Sequence, residues 1–325
     1  SLLAVFRRFI VSRGLELSGA FSRVAGGLVR KFGGRPRTLI YLLMISSAGT
    51  AAVLMNDASL FIYAPLGVAI GRVMEVDEVG LAAFLAMSAN VGSSLTPIGN
   101  PQNAVMWLHY SLGIHEFVAG MAPYVVIWFA ALLAYAHLRN PLKSWGEVSP
   151  PPPIKVNRKL LTLYVALLVG GVAAIQLGFS TYALLAVAAI SLVLGREALL
   201  SLDYRLILTF ILIFADFTYA SKVLDPYLTA LSGWGDLAVY AGSLTLSQVV
   251  SNVPATLMLV NSVGNWVPLA VGVNAGGVGT VVSSLANVIA ARLTYTSYRD
   301  MQARMLPYFA VIAALSAVML PLGVK

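Results

Sequence analysis

Two stretches of this chain cannot be helical from end to end, and they match each other. Asn90 to Asn103 reads NVGSSLTPIGNPQN and Asn274 to Asn287 reads NAGGVGTVVSSLAN; both place Asn, Thr and Asn at positions 1, 7 and 14. Gly92, Pro97, Gly99 and Pro101 in the first, and Gly276, Gly277 and Gly279 in the second, interrupt helical hydrogen bonding. The surrounding chain is apolar. Of 325 residues 59% are hydrophobic, mean hydropathy is +0.84, and 10% are charged, against roughly 25% in a soluble domain. The solvent this implies is lipid. Lipid cannot hydrogen-bond the backbone groups that a helix break frees, so both stretches must line a polar space enclosed by protein.

The repeat extends beyond the breaks. Asn56-Asp57-Ala58-Ser59 closes the apolar run TLIYLLMISSAGTAAVLM, and Ser251-Asn252-Val253-Pro254-Ala255-Thr256 closes DLAVYAGSLTLSQVV. Each sets Asn between two apolar arms. The runs look too short to cross a membrane and return, so they are expected as re-entrant hairpins whose tips meet the breaks. Upstream, Ile10 to Phe21 can be laid on Ile213 to Leu224. A linker holding Pro141, Pro150 to Pro153 and Glu147 divides the chain into repeat one at 1–138, the linker at 139–158 and repeat two at 159–325.

Apolar stretches such as Thr38 to Met55, Phe117 to Leu138, Lys159 to Leu177 and Leu206 to Ala220 allow about ten membrane segments. Two of them, near 159–177 and 181–195, have no counterpart in repeat one, so the chain reads as short at its N-terminus. The expected fold class is an all-α polytopic membrane protein with two inverted repeats, re-entrant hairpins and broken transmembrane helices.

Net charge is +8. On so apolar a chain this excess marks cytoplasmic loops rather than nucleic-acid binding. With the linker placed in the cytoplasm, inside loops hold Arg23, Arg30, Lys31, Arg35, Arg37, Arg72, the linker's Arg139, Lys143, Lys155 and Arg158 with Lys159 at its edge, then Arg196, Arg205, Arg292, Arg299 and Arg304. That is 16 of the 21 basic residues. The loop at 22–37 is basic, whereas its counterpart at 225–236 holds Asp225 and Asp236 and no Lys or Arg. The reversal of bias is what inversion of the two halves predicts.

At the motifs just described the sequence resembles the ion transporter superfamily, which includes arsenite permeases, citrate transporters and divalent anion:sodium symporters. Thr96-Pro97-Ile98-Gly99-Asn100-Pro101-Gln102-Asn103 looks like the family's broken-helix motif, and Ser251-Asn252-Val253 like a variant of its Ser-Asn-Thr hairpin tip. Asn56-Asp57 followed by Pro65 is similar to the arsenite permease signature. The nearest likeness is to the uncharacterised anion permeases of that superfamily. The resemblance implies an elevator-type transporter in a prokaryotic cell membrane, working as a homodimer. It implies solute contacts from Asn56, Thr96, Asn100, Asn103, Ser251, Asn252, Thr280 and Asn287. Val253 in place of Thr and the missing Pro-Ile-Gly-Asn-Pro core in the second break depart from the pattern.

The chemistry of a break supports such a site without any cationic side chain, since helix N-terminal ends attract anions. Freed carbonyls with Asn and Thr oxygens suit a small hard cation, which places a coupling Na⁺ or H⁺ near Asn56, Asn90, Asn252, Asn274 and Asp57. Asp57 is the one acid in the four motif stretches. An intramembrane carboxylate is costly unless paired, protonated or ion-bound; the alternative is that Asp57 caps the second hairpin arm. The expected function is cation- or proton-coupled transport of a small anion or oxyanion, the alternative an uncoupled uniporter or channel for a solute such as arsenite. No catalytic cluster appears at enzyme spacing, no cofactor or transition metal is expected, and His109, His115 and His137 lack ligand spacing. The chain has no cysteine, which allows a direct test of orientation. Ser149→Cys should react with a membrane-impermeant maleimide in inside-out vesicles and stay unlabelled in intact cells.

Overall fold

The computed structural model describes residues 7, 10–11, 13–15, 17–32, 35–74, 77–139, 155–176, 179–202, 204, 208, 212, 233 and 235–322. Among them every regular element is helical. Fourteen helices follow in order: α1 Ala20–Phe32, α2 Pro36–Leu54, α3 Asn56–Met74, α4 Glu78–Ser93, α5 Pro101–His109, α6 Ile114–Arg139 and α7 Arg158–Gln176. Then come α8 Ser180–Leu194, α9 Arg196–Leu200, α10 Asp236–Val250, α11 Asn252–Leu259, α12 Trp266–Gly276, α13 Leu285–Leu293 and α14 Tyr298–Met319. Most of the stretch expected at Leu206 to Ala220, the segment Ile213 to Leu224 and most of the linker lie outside the described residues.

Both interruptions fall where Gly and Pro predicted them. α4 stops at Ser93 and α5 begins at Pro101, with Asn100 as N-cap accepting from Asn103 N–H. α12 stops at Gly276 and α13 begins at Leu285. α4 is buried from Gly80 to Ser93 and α12 from Pro268 to Gly276, so neither has a polar face turned outward. A helix apolar on every side belongs to the centre of a bundle. α6 and α14 are the two described helices long and apolar enough to span a membrane. At 1.5 Å per residue they run about 39 and 33 Å. Their exposed apolar positions, such as Val126, Val311 and Val318, are surfaces for lipid.

The Asn-tipped pairs are α2–α3 and α10–α11. Arm length departs from expectation in the first. α2 and α3 have 19 residues each, about 28 Å apiece and close to a bilayer's hydrocarbon thickness of roughly 30 Å. Shortness holds for α11, which has 8 residues. Each second arm packs on the far half of the other broken helix: α3 on α13, and α11 on α5.

Close helix approach makes two glycines indispensable. A Cβ at Gly92 would overlap the backbone of Ala48 on α2, and one at Gly276 would lie 2.8 Å from Ser247 Cβ on α10. Gly49 faces open space. Gly92→Ala should therefore lower unfolding stability in detergent by about 1–3 kcal/mol, the usual cost of overpacking, while Gly49→Ala should change it by less than about 1 kcal/mol.

Candidate functional site

The two tips share an unusual backbone. Met55 has φ 79° and ψ 153°, and Ser251 has φ 76° and ψ 156°. Only glycine adopts this region without strain, which costs of order 1–3 kcal/mol and marks places where the surroundings over-determine the chain. What holds them is contact with the breaks. Asn56 N–H donates to Gly99 O at 2.9 Å, and Asn252 N–H donates to Ser283 O at 2.9 Å. Gly99 and Ser283 are each the tenth residue of their stretch. Thr96 Oγ1 donates to Ala52 O at 2.5 Å and Thr280 Oγ1 to Gln248 O at 3.2 Å; both acceptors lie four residues before the tip asparagine. Each tip is thus docked on its own break by the same two bonds.

Amides finish the breaks and join them. Asn103 Nδ2 donates to Thr96 O at 3.0 Å and Ser93 O at 3.3 Å; Asn287 Nδ2 donates to Thr280 O at 3.0 Å and Gly277 O at 2.9 Å. Across the centre, Asn90 Nδ2 donates to Asn287 Oδ1 at 2.7 Å, and Asn274 Nδ2 donates to Asn103 Oδ1 at 2.7 Å. The first asparagine of each stretch therefore reaches the last of the other. Asn274 Oδ1 also accepts from Asn100 Nδ2 at 2.9 Å and Ser94 Oγ at 3.1 Å, while Asn90 Oδ1 accepts from Asn56 Nδ2 and Ser284 Oγ, both at 3.1 Å. Such a network is worth little per bond, about 0.5–1.5 kcal/mol, yet leaving one buried member unpaired costs about 1–3 kcal/mol.

Of the residues expected at the site, Asn56, Asn90, Thr96, Asn100, Asn103, Asn274, Thr280 and Asn287 enter this network through their side chains. Ser251 Oγ donates to Ser283 O at 3.2 Å. Asp57 lies beside it, 4% exposed in the first turn of α3, where the positive end of the helix favours a carboxylate; its N–H donates to Asn56 Oδ1 at 2.9 Å. Asn252 is buried against the second break, its Nδ2 2.7 Å from where a Cβ at Gly277 would stand. Four helices, α3, α5, α11 and α13, begin here, and four, α2, α4, α10 and α12, end here. Their dipoles supply both signs of partial charge, and no Lys, Arg or His takes part in the bonds named. Among the described residues no group of three His, Cys, Asp or Glu could hold a metal. A bound cation would find amide and carbonyl oxygens here, with the Asp57 carboxylate beside them.

Sequence reasoning missed several members. Gln102 is buried and donates to Asn274 Oδ1 at 3.3 Å, while its Oε1 has no partner. It lies inside the first stretch, but Ala286 occupies the matching position, so a search for identities passes over it. Gln248 and Gln302 lie outside both stretches and bind the second break directly. Tyr110, just past α5, donates to Val260 O at 3.2 Å and Val263 O at 2.6 Å, tying the first broken helix to the loop after α11. Burial pushes its hydroxyl up to about 12. The three histidines are exposed. A cavity of about 620 Å³ bounded by Leu17, Lys159, Tyr164, Arg196 and Glu197 shares no residue with the amide cluster.

Lipid-facing helices around a buried amide cluster define an all-α membrane protein, and comparison with known proteins gives its kind. The family model described as citrate transporter matches residues 2–268. The inner membrane protein YbiR of Escherichia coli is 33% identical over 290 residues, covering 87% of this chain and 77% of YbiR. The uncharacterised transporter MJ0456 of Methanocaldococcus jannaschii is 31% identical over 265 residues, covering 80% and 71% of the two chains. The silicon efflux transporter LSI3 of rice is 29% identical over 120 residues, 37% of this chain and 24% of LSI3. The chain belongs to the citrate transporter family.

The threonine ties make a prediction independent of solute. Thr96→Val and Thr280→Val should each lower unfolding stability by roughly 0.5–1.5 kcal/mol, and Thr96→Ser, which keeps the donor, should restore most of the loss.

Proposed function

We propose that this chain is a secondary active transporter of a small anion or oxyanion, coupled to Na⁺ or H⁺ and working by elevator-type alternating access. The observation that carries the proposal is the reciprocal bonding of two broken helices. Position 1 of each stretch meets position 14 of the other, which is the contact pattern of a twofold relation. Together with the reversed charge bias of corresponding loops, it favours two inverted repeats. Gly- and Pro-broken backbone deep among apolar helices is tolerated where protein buries it or where it lines a water-filled cavity, and the second case suits a path for polar solute.

Roles divide by what each side chain already does. Asn103 and Asn287 spend their amides on break carbonyls and act as positioning residues. Asn56, Asn100, Ser251 and Asn252 at the tip–break contacts are proposed to meet the solute, with Thr96 and Thr280 fixing the tips beside them. Asn90 and Asn274 lend Oδ1 atoms to the coupling-ion region. The helix N-terminal ends at the same place suit an anion. No substrate is carried over from the family's description or from any relative.

Coupling rests on one asymmetry. Asp57 follows the first tip asparagine where Val253 follows the second. An anion entering beside a carboxylate is repelled unless a cation or proton neutralises the carboxylate first. Anion binding should therefore tighten with Na⁺ or with falling pH, and Asp57→Asn should abolish that dependence while the protein stays folded. By reciprocity the anion must tighten cation binding by the same factor. Anion affinity titrated across Na⁺ concentration and pH in both proteins is the test. Indifference of the wild type to either cation makes Asp57 a helix cap and the chain a uniporter.

A further inference from the structure

The two breaks perform the same task with different chemistry. In the second, Thr280 N–H donates to Gln248 Oε1 at 2.9 Å and Val281 N–H donates to Gln302 Oε1 at 2.7 Å. Gln302 Nε2 returns a bond to Gly279 O at 3.3 Å, and Gln248 Nε2 donates to Gly276 O at 2.9 Å. A Cβ at Gly279 would overlap Gln248 Oε1, so the glycine is what lets that amide in. In the first break Pro97 stands where Val281 stands in the second, and Ala52 where Gln248 stands. Proline has no N–H and needs no acceptor. At this position the first break needs no acceptor, whereas the second takes one from Gln302 on α14 beside the one that Gln248 supplies from α10.

The lender is itself anchored. Two residues beyond Gln302, Arg304 forms an ion pair with Asp77, which precedes α4, and Tyr135 Oη on α6 donates to Arg304 O at 2.7 Å. Met301 and Met305 on either side are fully buried. The first two turns of α14 therefore connect the second break to the start of the first broken helix.

We propose that Gln302 is a positioning residue of the solute site, holding residues 279–281 in the shape that Pro97 imposes on the first break. The shape of the second break then follows the position of α14, a dependence the first break does not have. This rests on the proposed transport function, because the breaks matter to solute only if they form its seat.

The proline correspondence supplies a rescue experiment. Gln302→Leu leaves Val281 N–H buried without an acceptor; Gln302→Leu with Val281→Pro removes that donor as well. Purified wild type, Gln302→Leu, Gln302→Glu and the double variant are compared by Tm in detergent. Sulfate, phosphate and citrate are added with sodium or choline as the counter-ion. Gln302→Leu should lower Tm by a few degrees and reduce the Tm rise given by the stabilising salt. Gln302→Glu keeps an acceptor for Val281 N–H but loses the donor to Gly279 O, so its Tm should fall between those of wild type and Gln302→Leu. The double variant should regain both losses, and Val281→Pro should not rescue Thr96→Val in the first break. A Gln302→Leu protein indistinguishable from wild type overturns the proposal. So does a Gln302→Glu protein as unstable as Gln302→Leu, a readout that stands even if the proline variant fails to fold. If no salt stabilises the wild type, the transport reading fails by that measure, while the Tm pattern of the variants still decides the role of Gln302.

Discussion

The whole arrangement depends on one constraint: backbone groups released inside an apolar bundle must find partners within the protein. A helix that stops between apolar neighbours exposes N–H and C=O groups that lipid leaves unsatisfied, each at a cost of several kcal/mol. Here the partners are primary amides. An asparagine side chain has donor and acceptor on one short stem, so it can cap a carbonyl with one end and reach across with the other. Asn103 and Asn287 do this in the two breaks, their Nδ2 capping break carbonyls while their Oδ1 accept from Asn274 and Asn90 across the centre. The neutral amide satisfies the backbone without placing a charge in the bundle, and Asp57 lies buried beside the cluster.

Strain and satisfaction sit next to each other. The positive φ at Met55 and Ser251 turns each chain sharply enough that the following N–H meets a break carbonyl rather than its own helix. Were the breaks continuous helices, Gly99 O and Ser283 O would be engaged within them and the tips would have nothing to dock on. Breaks and tips are consequently one device, used twice. The second copy differs from the first chiefly in taking an acceptor from α14 where the first has proline.

Much of this was legible in the residues. The Asn–Thr–Asn spacing located both breaks, and the apolar runs at Thr38 to Met55, Phe117 to Leu138 and Lys159 to Leu177 became α2, α6 and α7 with ends shifted by a few residues. The tip asparagines were legible because each closes an apolar run, Asn56 directly after Met55 and Asn252 after Val250 and Ser251. Less legible was what the amides bind: the reciprocal pairs join residues 171 and 197 positions apart, and nothing local encodes them. Gln248 and Gln302 were invisible because a helical glutamine outside a motif reads as an ordinary polar position; the absence of proline at Val281 was the available hint. The first hairpin's arms came out longer than expected, since Pro65 lies within α3 and does not end it. Proline removes one helical bond, and packing of α3 on α4 and α13 carries the helix past it.

If the breaks are one joined unit, the bond between Asn103 and Asn274 must be energetically shared rather than a chance of proximity. The direct measurement is a double-mutant cycle: unfolding free energies in detergent for wild type, Asn103→Ala, Asn274→Ala and the double variant. The account predicts that the double variant loses less than the sum of the single losses, by at least about 1 kcal/mol. Additivity to within about 0.5 kcal/mol would mean that the two stretches are stabilised separately, and would contradict the joined site.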